Sequence, residues 1–121
     1  MDNNENLEIK GMQLYEKLVD SVESAPDNIP ELVAQLRDAD NSGQFLASSA
    51  RFLYAIDSER FSPWIGELID GAIEKDREHR YIGSLLQAIW GDDYESNAES
   101  LKASDRNFRR IYQRIHPEGS L

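Results

Sequence analysis

The side chains best able to do chemistry in this chain of 121 residues are its 23 carboxylates. One group is Asp38-Ala39-Asp40-Asn41-Ser42-Gly43, which matches the opening of a calcium-binding loop, D-x-D-x-S-G. Such a loop closes with a bidentate Glu at its twelfth position. Ser49 stands there, and no acid lies between Gly43 and Asp57. Calcium is the lesser expectation. The greater is a turn between helices, with Asn41 left-handed and Ser42 capping the next helix. A second group is the pairs Asp57/Glu59, Glu67/Asp70 and Asp92/Asp93. Paired carboxylates suit acid–base work, but among so many acids they read first as solvated faces. A third group is Trp90-Gly-Asp92-Asp93-Tyr94-Glu95. Aromatic rings among acids at a helix end have the character of a charge-rimmed binding hot spot. The alternative is that Trp90 is core and Asp92 a cap. His79 and His116 have no His or Cys partner at ligand spacing. No phosphate loop or nucleophile elbow is present. No catalytic set, metal or cofactor is expected.

The elements that must carry these residues all read as helices. Leu7, Leu14, Tyr15, Leu18 and Val22 recur at helical spacing over residues 4–23. Asn3 or Asn4 is the expected cap, with Glu5 and Glu8 on the N-terminal dipole. Gly11 weakens this helix by up to ~1 kcal/mol, so residues 1–11 could form a loose arm. Pro26 and Pro30 end it and open a short helix over 30–38, with Leu32, Val33 and Leu36 inward. A third helix over 43–56 turns Phe45, Leu46, Ser49, Phe52, Leu53 and Ile56 inward. A fourth opens at Ser62-Pro63 and buries Trp64, Ile65, Leu68, Ile69, Ala72 and Ile73, with Glu67, Asp70 and Glu74 along its outer side. A fifth over 78–90 carries the widest apolar stripe, Tyr81 to Trp90, and stops at Gly91. Asp92 and Glu95 form an expected capping box for a sixth helix over 94–103. Ser104 caps a seventh over 105–115. No segment alternates in the manner of a strand. The expectation is one all-α domain over 1–121 with six to seven antiparallel helices. Helices two with three and four with five look like hairpins of a short HEAT-like α-solenoid; a compact helical bundle is the alternative.

Charge narrows the classes of function. Net charge is −10, and cysteine is absent. Residues 1–60 hold 12 acids and 5 bases, residues 61–99 hold 9 and 3, and residues 100–121 hold 2 and 5. An acidic body therefore ends in a basic helix with Arg106, Arg109, Arg110 and Arg114, which are expected to pair with acids of preceding helices. The body repels phosphate backbones and attracts basic proteins. The opening MDNNENLEIK lacks the form of a signal peptide, and no apolar run reaches a membrane span. A cytoplasmic protein that binds neither membrane nor nucleic acid is expected.

In size, charge, lack of cysteine and helix pattern, the whole chain resembles the small acidic all-helical immunity proteins of bacterial toxin–immunity systems. The contact-dependent growth inhibition type is nearest, with SARFLYAID and YIGSLLQAIWGDDYE as the most suggestive phrases. The resemblance implies a non-catalytic monomer that binds one cognate basic toxin domain, an RNase or DNase, and occludes its active site. Charge and aromatic placement nominate Asp57, Glu59, Glu67, Asp70, Glu74, Trp90, Asp92, Asp93, Tyr94 and Glu95 as partner-binding residues. An acidic adaptor or secretion chaperone is the competing reading.

Overall fold

Helical spacing of apolar residues builds every element of the computed structural model, which describes residues 3–117, with side chains from residue 9. The expected roles of Asn3, Asn4, Glu5, Leu7 and Glu8 therefore lie outside the described side chains. The helices are α1 (Asn3–Ser24), α2 (Ile29–Ala39), α3 (Gln44–Asp57), α4 (Ser62–Lys75), α5 (Gly83–Trp90), α6 (Ala98–Ser104) and α7 (Arg106–Ile115), with a 3-10 turn at Pro26–Asn28. No strand occurs among the described residues. α1 runs unbroken through Gly11. A Cβ there would sit 2.8 Å from the Phe45 ring, so the glycine lets α1 approach α3 closely.

Three aspartates steer the chain. Asp40, Asp76 and Asp105 each end a helix, and each backbone N–H bonds the carbonyl four residues back. Each carboxylate then accepts N–H groups at or just before the start of the following helix. Asp40 Oδ2 takes Phe45 N at 2.8 Å and Leu46 N at 2.9 Å, while Oδ1 takes Ser42 N and Gly43 N. Asp76 Oδ2 takes Tyr81 N at 2.7 Å and Ile82 N at 2.9 Å, while Oδ1 takes Arg80 N. Asp105 Oδ1 takes Asn107 N and Phe108 N. The donors are the orphan amides of a helix start, and the anion also suits the helix dipole. Asp40 and Asp76 are both buried. Each is followed, three residues on, by a left-handed residue: Gly43 at φ 85° and His79 at φ 58°.

These corners correct several sequence expectations. Gly43, not Asn41, is left-handed, and Asp40 does the main capping expected of Ser42. Asp76 delays α5 to Gly83, five residues later than its apolar pattern suggests. The expected Asp92/Glu95 capping box does not form. Residues 92–97 are successive turns and α6 starts at Ala98. Ser104 donates to Ser100 O, and Asp105 caps α7.

The corners also change the pairing of helices. α2 with α3 and α4 with α5 are not the packed hairpins. α4 and α5 do not pack on one another, whereas α1 lies along α2 and α3 along α4. Leu46 and Gly43 of the α3 start approach Gly71 and Ala72 of late α4, so α3 and α4 are antiparallel. Ile115 meets Gly83, and Trp90 meets Phe108, so α5 and α7 are antiparallel. Phe45 near the start of α3 lies on Gly11 and Tyr15, and Phe52 and Ile56 near its end share a groove with Val19 and Val22, so α1 and α3 are parallel. The result is three stacked pairs, α1/α2, α3/α4 and α5/α7, with α6 inside the last connection. The Asp40 and Asp76 corners lie on each other at one end: a Cβ on Gly43 would be 2.9 Å from the Asp76 Cβ. The three loops within pairs, at residues 25–28, 58–61 and 91–105, fall at the opposite end.

The core runs between the layers. Leu18, Leu36, Leu46, Leu53, Leu68 and Leu85 are fully enclosed, and Phe61 and Phe108 close it at the loop end. Of the six side chains expected inward on α3, Leu46, Ser49 and Leu53 are buried, while Phe45 and Phe52 are half-buried. Ile56 is 52% exposed, contrary to its place on the apolar face.

Candidate functional site

The loop end gathers carboxylates from segments far apart in sequence. Glu23, Asp27 and Glu31 flank the first loop, Asp57 and Glu59 the second, and Asp92, Asp93 and Glu95 the third; all eight are exposed. Arg60 is the basic residue of the first two loops, and its guanidinium lies 4.9 Å from the Phe61 ring centre; Lys102, paired with Glu99 at 3.3 Å, lies late in the third, and Arg106 and Arg109 follow at the start of α7. A cleft of roughly 190 Å3 joins the second and third loops, with Ser58 and Ser62 on one side and Ile89, Trp90 and Asp105 on the other. Asp57 and Glu59 thus share an end with Asp92, Asp93 and Glu95. The opposite end, at the corners, carries Lys75, Arg77, His79 and Arg80 against Glu78, which pairs with Arg80 at 2.7 Å.

The third loop is held in place rather than free. Gly91 at φ 97° turns the chain out of α5, a conformation that favours glycine. Gln87 Nε2 donates to Asp92 at 2.6 Å, and Asn97 Nδ2 donates to the Asp93 carbonyl at 3.3 Å. Trp90 Nε1 donates to Asp105 Oδ2 at 2.9 Å, so one carboxylate both caps α7 and anchors the indole. Trp90 and Tyr94 stand edge-on to Phe108 at 5.3 and 6.2 Å between ring centres. Phe108 stacks on Tyr112, and Tyr112 meets His116 at 4.7 Å. The two nominated aromatics are therefore half-buried supports, and the acids beside them form the outward surface. Desolvation raises the Tyr94 pKa above 10.0, with the Glu95 charge adding to the rise.

The other nominated acids lie elsewhere. Asp70 is spent on Arg110 at 2.6 Å, which ties α4 to α7. That pair meets the expectation that the basic helix neutralises earlier acids. Arg109 and Arg114 instead donate to the carbonyls of Lys102 and Arg110. Glu67 and Glu74 border a groove between α2 and α4 whose floor includes Val33, Ala34 and Trp64. Glu74 lies 3.7 Å from Arg37. The Asp38–Gly43 turn uses both Asp40 oxygens on backbone amides, leaving Asp38 exposed outside it. Among the described residues no three His, Cys, Asp or Glu side chains are grouped to hold a metal. No helix there is long and apolar enough to cross a membrane.

Sequence reasoning nominated Asp57, Glu59 and residues 90–95 but not Glu23, Asp27 or Glu31. The available signal was the loop position of each group, which becomes a common end once the helices pair as observed. No family model, no curated protein and no solved structure matches the chain.

Proposed function

We propose that this chain is a non-catalytic immunity protein that neutralises a basic toxin domain, an RNase or DNase, by covering its active site with the acidic loop end. One observation carries the reading: eight exposed carboxylates from three loops converge on one end and outnumber its cations, Arg60, Lys102, Arg106 and Arg109, of which Lys102 is paired with Glu99 and Arg109 with a backbone carbonyl. Nuclease sites are lined by cations that hold phosphate, and a fixed array of carboxylates is complementary to them. Fixing the array beforehand matters, because an ordered loop loses less entropy on binding. The hydrogen bonds of Gln87, Asn97 and Trp90 supply that order at the third loop. Long-range charge steering speeds association and makes it salt-sensitive. The protein acts as a cytoplasmic monomer in a one-to-one complex.

The test is recovery of the tagged chain's partner from the source cell, followed by a nuclease assay with increasing amounts of the chain. The expected partner is basic, degrades RNA or DNA alone, and loses activity at one equivalent. A partner whose activity is unchanged at saturation, or a chain that forms a homodimer around a non-nuclease client, contradicts the proposal.

A further inference from the structure

A groove of roughly 660 Å3 opens between α1 and α3 at the same end as the acidic loops. Its apolar walls are Val19, Val22, Pro26, Phe52 and Ile56. Ile56 is 52% exposed, although it continues the apolar stripe that buries Leu46 and Leu53. A lone exposed isoleucine is ordinary. Here it forms one wall of a groove closed by side chains of two other segments. The volume suits one or two bulky side chains with their backbone. The rim is acidic: Asp20 and Glu23 line it from α1, and Asp57 adjoins Ile56. Arg60 also borders the groove, but it leans over the Phe61 ring.

We propose that this groove seats an apolar anchor side chain, aromatic or aliphatic, from a lysine- or arginine-rich segment of the partner protein. Charge complementarity selects the occupant. An apolar segment flanked by acids would meet Asp20, Glu23 and Asp57, whereas flanking cations pair with them. The inference rests on the proposed function, because it takes the acidic end as the binding face. It adds the anchor that turns a salt-sensitive encounter into a slowly dissociating complex. Buried apolar anchors ringed by polar contacts dominate interface affinity in general.

Two fluorescein-labelled lysine-rich peptides test it, one with a central Leu-Phe pair and one with Ser-Ser in its place. Fluorescence anisotropy reads both against the intact chain. The Leu-Phe peptide binds about ten-fold more tightly, the gain expected from burying a bulky side chain. Ile56→Ser removes that advantage and leaves the Ser-Ser peptide's affinity unchanged. Its unaltered circular dichroism spectrum shows that folding is intact. Joint reversal of Asp20, Glu23 and Asp57 to lysine weakens both peptides. Equal binding of the two peptides to the wild-type chain, or an advantage that survives Ile56→Ser, overturns the groove alone. Failure of both peptides to bind, or binding insensitive to the charge reversals, overturns the acidic-end reading and the groove with it.

Discussion

Replacing Asp40 with alanine should cost about 3 kcal/mol of stability, worked from four released amides. Asp40 is 2% exposed, and its carboxylate accepts the N–H groups of Ser42, Gly43, Phe45 and Leu46. Loss of a helix cap alone costs about 1 kcal/mol. Water can reach Ser42, but Leu46 is fully enclosed. An enclosed amide left without a partner adds about 1–3 kcal/mol. Relief of the buried carboxylate's desolvation offsets part of this. A domain of this length has a total stability of about 6–18 kcal/mol, so the loss is large but leaves the fold standing. It corresponds to a fall in Tm of roughly 12 °C. Urea denaturation should show an earlier midpoint with an unchanged slope, because the surface exposed on unfolding stays the same. Asp76→Ala should behave alike, since Asp76 accepts three amides just before α5. The two corners touch, so the double variant should deviate from additivity by about 0.5 kcal/mol or more. A loss below about 1 kcal/mol for Asp40→Ala would refute the argument that this carboxylate sets the α2–α3 corner.

Further outcomes follow from the same geometry. Gly43→Ala should destabilise by about 2 kcal/mol or more, because φ is 85° and the new Cβ meets Asp76 and the Ala72 carbonyl near 3 Å; His79→Gly, at the matching position with φ 58°, should stabilise by about 1 kcal/mol, and thermal melts of both variants check the pair. Ser49→Ala should raise stability by about 1 kcal/mol, since the fully buried Ser49 Oγ has no hydrogen-bond partner; a lower urea midpoint would contradict this. The raised Tyr94 pKa means that the folded state holds this proton more tightly than the unfolded chain. Its stabilising contribution is therefore present below pH 10 and is lost as pH rises beyond it. Tyr94→Phe should flatten that alkaline loss, and absorbance titration of phenolate should lose a component that titrates above the ordinary tyrosine value.

The helices themselves were legible because α1, α2, α4 and α7 bury the leucines, isoleucines and phenylalanine that their spacing selects. The way they pair was not. Short connections normally make sequential helices neighbours, but a carboxylate at the end of α4 turns the chain so that α5 leaves α4 and joins α7. Periodicity does not register such a residue. A subtler signal was present: Asp40 and Asp76 are each followed at the fifth and sixth positions by an aromatic and an aliphatic residue, Phe45-Leu46 and Tyr81-Ile82. The same limit applied to the site. Asp57, Glu59 and residues 92–95 were nominated by local character and do share an end. Asp70 was nominated on the same ground and is instead bound to Arg110, a partner 40 residues away that spacing could not reveal. Ile56 fits its helical stripe, yet α1 and α3 leave a groove between them there, and the residue is left open.

The acidic loop end is tested most directly by comparing two sets of charge reversals in binding to the recovered basic partner. One set converts Glu59, Asp92, Asp93 and Glu95 to lysine, and the other converts Asp38, Glu67 and Glu74 on the α2/α4 face. Close charge pairs in an interface contribute on the order of 1.5 kcal/mol or more each, so the first set should weaken the complex at least about 100-fold. The second should change it by less than about three-fold at moderate salt. Loss of binding from the α2/α4 set, with the loop set bound as tightly as wild type, would contradict the account.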